Sequence, residues 1–236
     1  MTMIESNLQA VRARVSAACI AAGRDVQSVT LLAVSKTVDA DAVRRALAAG
    51  QRVFAENYVQ EAVDKIQALR QPLLQWHCIG PVQSNKTRLV AGHFDWLQSL
   101  DRLKIAQRLD AQRPPDLPPL QVCIQVNTDG GPTKAGVAPE ALLALAQAIA
   151  ALPRLKLRGI MTIPEPSADF AAACALHARA KRLFDLLNAQ GLGLDTLSMG
   201  MSADLEAAIH AGSTMVRVGS AIFGERRPKP AVGGLA

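Results

Sequence analysis

The sequence predicts an α/β fold, a single parallel barrel of the (β/α)8 type with an additional amino-terminal helix. Three observations carry this. Short apolar runs rich in β-branched residues recur eight times, stretches with helical spacing separate them, and the 236 residues match the length that one such barrel consumes. Strand–helix alternation calls for parallel strands joined by right-handed crossovers, and closing the ring takes eight of them. An open doubly wound sheet uses the same alternation and is the competing arrangement.

Residues 3–22 place Ile4, Leu8, Val11, Val15 and Ala18 at helical spacing, with Gly23 as a stop, so a helix precedes the first strand. VTLLAV (29–34) is apolar on both faces, as a buried parallel strand must be, and gives way at Ser35-Lys36. Asp39 to Ala49 reads as a helix ended by Gly50. The unit then repeats. Strands are expected at RVFA (52–55), LQWHCI (74–79), FDWLQ (94–98), LQVCIQV (120–126), LKLRGIMT (155–162), DTLSM (195–199) and MVRV (215–218). Helices are expected near 57–69, 84–91, 101–112, 139–150, 168–189 and 203–211. Seven helices thus lie between eight strands, and the amino-terminal helix fills the place beside the eighth, completing a TIM-type barrel. The proline-rich run from Arg113 to Pro119 is a stiff connection between a helix and a strand. One domain is therefore expected over residues 1–224, with 225–236 (ERRPKPAVGGLA) a basic, flexible tail.

Composition narrows the function. Half the residues are hydrophobic but only 3% are aromatic, which gives an aliphatic globular core and excludes a disordered or collagen-like chain. The formal charge of +6 suits an anionic ligand or weak nucleic-acid contact; the aromatics are too few for base-stacking platforms and there is no basic helix, so nucleic acid is not expected as a partner. Cys19, Cys78, Cys123 and Cys174 are far apart, form no CxxC pair and sit among apolar neighbours. They read as reduced core thiols, with neither a disulfide framework nor a metal site. Charges such as Glu5 interrupt the first residues, so no signal peptide or membrane span is expected, and the protein is placed in the cytoplasm.

In a parallel barrel the working face lies at the carboxyl ends of the strands. Lys36, Glu56, Asn57, His77, Ser99, Asn127, Thr162, Ser202 and Arg217 with Gly219-Ser220 collect there. Lys36 ends an apolar strand, and an amine in a partly desolvated mouth can attack an aldehyde to form a Schiff base; a surface lysine snorkelling from a strand end is the plainer alternative. Lys65, Lys86, Lys104 and Lys134 lie on helices or polar loops and fit solvated surfaces. The turns Met199-Gly200-Met201-Ser202 and Val218-Gly219-Ser220 bring glycines, hydroxyls and unused N–H groups to helix starts, a device for holding a phosphate dianion. Ser202 could equally be a simple N-cap for the helix after it. Arg217 lies in an apolar strand, so its guanidinium either points outward or meets a partner inside the mouth. His77 is either a satisfied core histidine or a catalytic one.

Six segments, LLAVSKT (31–37), FAENYVQEA (54–62), WHCIGPVQSNK (76–86), SLDR (99–102), GIMTIP (159–164) and LSMGMSADLEAAIHAGSTMVRVGSAIFG (197–224), closely resemble the YggS/PROSC family, the pyridoxal phosphate homeostasis proteins. The resemblance spans nearly the whole chain. It implies a barrel similar to the amino-terminal domain of alanine racemase (fold type III among pyridoxal phosphate proteins) and pyridoxal 5′-phosphate held as a covalent aldimine to Lys36. It further implies phosphate on Ser202, Gly219 and Ser220, Arg217 against the pyridine nitrogen, and Asn57, His77, Gly200 and Met201 lining the pocket. Ser220 replaces a threonine common in relatives and keeps the hydroxyl. Lys134, in NTDGGPTKAG, lacks the acidic residue that often precedes the matching lysine.

An arginine facing the ring nitrogen keeps it unprotonated and weakens the electron sink that carbanion chemistry uses. Racemisation also needs a second base, which the racemases take as a tyrosine from a further domain; here Tyr58 is the only tyrosine. The resemblance therefore implies a non-catalytic carrier in vitamin B6 and amino-acid homeostasis, a monomer, with apo-enzymes as recipients of the cofactor. A cryptic pyridoxal-dependent amino-acid racemase is the alternative, and a Schiff-base aldolase acting on a sugar phosphate is a third class.

Overall fold

A computed structural model describes residues 2–130 and 135–224. In chain order the elements are α1 (Met3–Ala21), β1 (Thr30–Val34), α2 (Ala40–Ala48), β2 (Val53–Glu56), α3 (Val59–Leu69), β3 (Gln75–Cys78), α4 (Thr87–His93), β4 (Trp96–Leu100) and α5 (Leu103–Gln112). They continue with β5 (Leu120–Gln125), α6 (Pro139–Ala150), β6 (Leu155–Met161), α7 (Phe170–Ala189), β7 (Thr196–Ser198), α8 (Leu205–His210), β8 (Met215–Val218) and the single turn α9 (Ser220–Phe223). Every strand pairs in parallel with its sequence neighbour, and β8 closes on β1 through a register that runs from Thr30–Met215 to Ala33–Val218. The ring is closed, which removes the doubly wound sheet. Helix α1 packs against α2, α8 and α9, the place anticipated for it.

Local chemistry sets the helix starts. Thr2 and Glu5 form a reciprocal capping box at α1. Asp39 and Asp169 accept the N–H groups of Ala42 and Ala172 at the starts of α2 and α7. In the proline-rich connection Arg113 is buried, donating to the carbonyls of Pro118, Ala91 and Phe94, each at 2.8 Å. This ties the end of α5 to α4 and to the approach to β5.

Three expectations need correction. Strand β4 begins two residues later than FDWLQ, because Phe94 packs into the core as the C-cap of α4 and the Asp95 carboxylate accepts the N–H of Trp76. Cys174 is only half-buried, whereas Cys19, Cys78 and Cys123 are core thiols. Lys65 is no solvated helix lysine; it is 6% exposed. Lys134 and the expected tail 225–236 lie outside the described residues.

The apolar core has two parts. Its main body, with Leu8, Val43, Phe54, Leu97, Ile124 and Leu142, fills the layer between strands and helices. Among the described residues, two small buried apolar groups lie inside the ring, Leu32, Val34, Ala55 and Met215 in one and Trp96, Cys123 and Met161 in the other. Side chains alternate along a strand, so the residues between these groups on β3, β4, β7 and β8 also point inward: His77, Gln98, Ser198 and Arg217, all buried and polar.

Candidate functional site

At the carboxyl ends of the strands the barrel opens into a cavity of about 630 Å³, a size typical of small-ligand sites. Val34, Ile79, Met161 and Ile163 supply apolar walls, and the polar side chains lining it are Lys36, Asn57, Ser202, Arg217 and Ser220.

Lys36 enters this cavity from the end of β1, and its backbone is fixed on both sides. Ser35 donates its N–H to Ala55 O and its hydroxyl to Glu56 Oε1 at 2.7 Å, while its carbonyl accepts from Lys65 Nζ at 2.8 Å. Lys65 Nζ also lies 2.6 Å from Glu56 Oε1 and 3.6 Å from Glu61. Burial raises the Glu56 pKa above 4.5, and the attraction and hydrogen bond of Lys65 only partly oppose it. On the other side, Thr37 sits at φ 61° with its N–H donated to Glu61 Oε1 at 2.6 Å. A β-branched residue in the left-handed region is strained, and this carboxylate holds it there.

The opposite wall is built from two turns. Gly200 sits at φ +91°, a conformation L-residues avoid, and an added Cβ would lie 2.4 Å from Ala208 Cβ. Its carbonyl accepts from Arg217 N at 3.0 Å, tying the turn to β8. Ser202 does not cap a helix, because α8 begins only at Leu205. Asp204 shapes the turn instead: Oδ1 accepts the Met201 N–H at 2.7 Å and Oδ2 meets His177 Nε2 at 2.9 Å. From outside, Arg14 of α1 donates to Ser202 O at 3.0 Å and pairs with Glu206. Among the described residues, the amides of Ser202, Ala203, Gly219 and Ser220 and the hydroxyls of Ser202 and Ser220 find no acceptor within the chain. Unused donors converging on one wall suit a multiply charged oxyanion.

Arg217 lies between the two walls, 4% exposed, with Nη1 donating to Ser198 Oγ and Nη2 to Thr162 O, both at 2.8 Å. Burial lowers its pKa to about 10, so it is a cation at neutral pH. Two of its five donors are spent, and because Arg217 lines the cavity the others can serve an acceptor there such as a ring nitrogen. Amine, arginine and oxyanion wall therefore fit the aldehyde, pyridine nitrogen and phosphate of pyridoxal phosphate.

Of the nine residues named from the sequence, seven line the cavity: Lys36, Asn57, Met201, Ser202, Arg217, Gly219 and Ser220. Gly200 is buried behind the wall and shapes it. His77 is the correction: it is fully buried below the cavity, stacked on Trp96 with ring centroids 4.9 Å apart, and does not line the pocket. Its inward-facing position lies too deep in β3, and burial holds its pKa down to about 3. Glu56, collected from the sequence at the strand ends, is fully buried and pairs with Lys65 rather than lining the cavity; the sequence reading missed the support of Glu61 and Lys65, although Lys65 falls on the same helical stripe as Ala62 and Leu69. It also missed Gln98 and Ser198, and the His177–Asp204 pair. Among the described residues no cluster of His, Cys, Asp and Glu could hold a metal, and no helix is long and apolar enough to cross a membrane.

The family described as alanine racemase, N-terminal domain, matches residues 4–227. The chain is 59% identical over 226 residues to the pyridoxal phosphate homeostasis protein of Pseudomonas aeruginosa, covering 96% of this chain and 97% of that one. It is 52% identical over 229 residues to the protein of the same name from Escherichia coli, with 96% and 98% covered. Among solved structures, PipY of Synechococcus elongatus with pyridoxal phosphate bound has 38% identity and a TM-score of 0.82, covering 94% of this chain and 100% of that one. An alanine racemase of Clostridium difficile, at 17% identity and a TM-score of 0.70, shares the fold; 84% of this chain and 53% of that one are covered.

Proposed function

The chain belongs to the pyridoxal phosphate homeostasis family, and from that premise we propose that it holds pyridoxal 5′-phosphate in the cavity, covalently through Lys36, without catalytic turnover. The observation that carries this reading is the convergence of Lys36, Arg217 and the unused donors of two turns on one cavity. Pyridoxal phosphate bound there would supply an aldehyde within reach of the Lys36 amine, the chemistry of a Schiff base. Ser35 and Thr37 hold the backbone of Lys36 in place; Ser202, Gly219 and Ser220 would take the phosphate, and Arg217 would face the ring nitrogen.

The lining supports holding rather than turnover. Among the described residues, its polar side chains apart from Lys36 and Arg217 are Asn57, Ser202 and Ser220, none of which is an acid or base near neutral pH. His77, the group that could have served, is buried beneath. The same reading makes the protein a cytoplasmic monomer that buffers a reactive aldehyde and passes the cofactor to apo-enzymes. Titrating the purified chain with pyridoxal phosphate tests it: a saturable near-visible absorption band is expected, and added amino acids are expected to be neither racemised nor transaminated. No band would overturn the binding reading. Amino-acid turnover that Lys36→Ala abolishes would overturn the carrier role in favour of a racemase or related enzyme.

A further inference from the structure

Below the cavity floor, buried polar side chains of β8, β7, β4 and β3 form a single file. Arg217 Nη1 lies 2.8 Å from Ser198 Oγ, Ser198 Oγ 2.7 Å from Gln98 Oε1, Gln98 Nε2 2.8 Å from His77 Nδ1, and His77 Nε2 3.1 Å from Gln75 Oε1. Gln75 is the exposed first residue of β3. The file thus runs from the site to the opposite mouth of the barrel.

Its polarity is set at the arginine end. A guanidinium only donates, so Ser198 Oγ accepts from it and turns its one proton to Gln98 Oε1; no other acceptor for that proton is present among the described residues. The Gln98 amide nitrogen then faces His77 Nδ1, and the same nitrogen lies 3.0 Å from Met215 Sδ. His77 Nδ1 must accept, which leaves the ring's proton on Nε2, donated to Gln75. A proton on Nδ1 would oppose N–H to N–H. Relief would turn Gln98, then Ser198, and end by aiming a hydroxyl proton at the guanidinium.

We propose that this file is a polarity lock on Arg217, in which Ser198, Gln98 and His77 are positioning residues that hold the guanidinium in place with its free N–H groups turned to the cavity, so that the ring nitrogen of the bound cofactor stays a bare acceptor. The part concerning the cofactor rests on the function proposed above; the lock itself is a property of the chain alone. Among the described residues no ionised group hydrogen-bonds His77, whose ring packs on Trp96 between Gln75 and Gln98; Arg158 lies 4.9 Å from the centre of the Trp96 ring, and burial alone lowers the His77 pKa to about 3. A ring nitrogen without a proton is a poor electron sink, so the lock would favour holding the aldehyde over carbanion chemistry.

Two spectra test it. In ligand-free protein carrying ¹⁵N-histidine, His77 should show a pyrrole-like Nε2 and a pyridine-like Nδ1, unchanged between about pH 5 and 8. A proton on Nδ1, or titration in that range, overturns the lock whatever the ligand. In protein loaded with ring-¹⁵N pyridoxal phosphate, the wild type should give an unprotonated ring nitrogen. Ser198→Ala should move that shift toward the protonated value and raise Kd about tenfold, roughly the loss of one hydrogen bond to a charged group, and Ser198→Thr should restore both. A folded Ser198→Ala protein with the wild-type shift and Kd overturns the proposal. Failure of the wild type to load would refute the site reading, and the histidine spectrum would still decide the lock.

Discussion

Lys65→Met removes the cation that faces Glu56 at 2.6 Å, in a pair whose side chains are 5% and 0% exposed. Glu56 Oε1 would keep only the Ser35 hydroxyl, and Oε2 already lacks a partner. Breaking a buried pair on one side costs about 3–5 kcal/mol, a large share of the roughly 5–15 kcal/mol that stabilises a native domain. At about 2–4 °C per kcal/mol for a chain of this length, Tm should fall by about 6–20 °C. The deficit should also depend on pH. Burial already holds the Glu56 pKa above 4.5 in the folded state, and losing Lys65 raises it further. A carboxyl with a raised folded-state pKa binds its proton more tightly folded than unfolded, so stability is lost as pH rises from 4.5 through the folded pKa and recovered on acidification. Urea unfolding of variant and wild type across pH should show a gap that is wide at neutral pH and closes toward pH 4.5. Adding Glu56→Gln, which removes the stranded charge, should recover most of the loss. Because Lys65 also holds the Ser35 carbonyl beside Lys36, the single variant should bind pyridoxal phosphate more weakly. A gap under about 1 kcal/mol that is flat with pH would refute the reasoning.

Gly200→Ala forces an L-residue into φ +91° and sets a Cβ 2.4 Å from Ala208 Cβ; left-handed backbone and overpacking together cost about 2–5 kcal/mol, and denaturant unfolding showing under about 1 kcal/mol would contradict this turn geometry. Ser202→Ala should leave stability within about 0.5 kcal/mol, because the hydroxyl caps nothing, while pyridoxal phosphate binding weakens about tenfold; a stability loss without an affinity loss, in unfolding and binding titrations, would restore its reading as a cap. Burial pushes the Asp204 pKa up, but the hydrogen bonds from His177 and the Met201 N–H outweigh it and hold the carboxyl below 3.8. A depressed folded pKa gives stability that is present above 3.8 and lost as pH falls through the folded value. Acid unfolding should therefore show an advantage of wild type over Asp204→Asn that disappears on acidification, and an advantage constant with pH would count against the pair.

The barrel was legible because its outer strand positions, such as Ala33, Phe54, Leu97, Ile124 and Leu197, pack beneath amphipathic helices and leave a repeating apolar signal. The inner positions carry a different chemistry. Gln98, Ser198 and Arg217 face one another inside the ring, so in β4, β7 and β8 the apolar pattern is broken by the residues that matter most to the site. Lys36, Arg217 and the two glycine turns could be read from residue type at strand ends. What supports them could not. Lys65 pairs with Glu56 nine residues away and reaches Ser35 thirty residues away, while His177 meets Asp204 across 27 positions. No local period encodes such contacts; only the closed ring brings them together. His77 went wrong for a related reason: periodicity gives the face of a strand and not the depth along the barrel axis.

Covalent capture at a single amine is the claim on which the rest depends. Borohydride reduction of the chain loaded with pyridoxal phosphate, followed by peptide mapping, should find the pyridoxyl group on Lys36. A label on Lys86 or Lys134 with Lys36 unmodified would contradict the account.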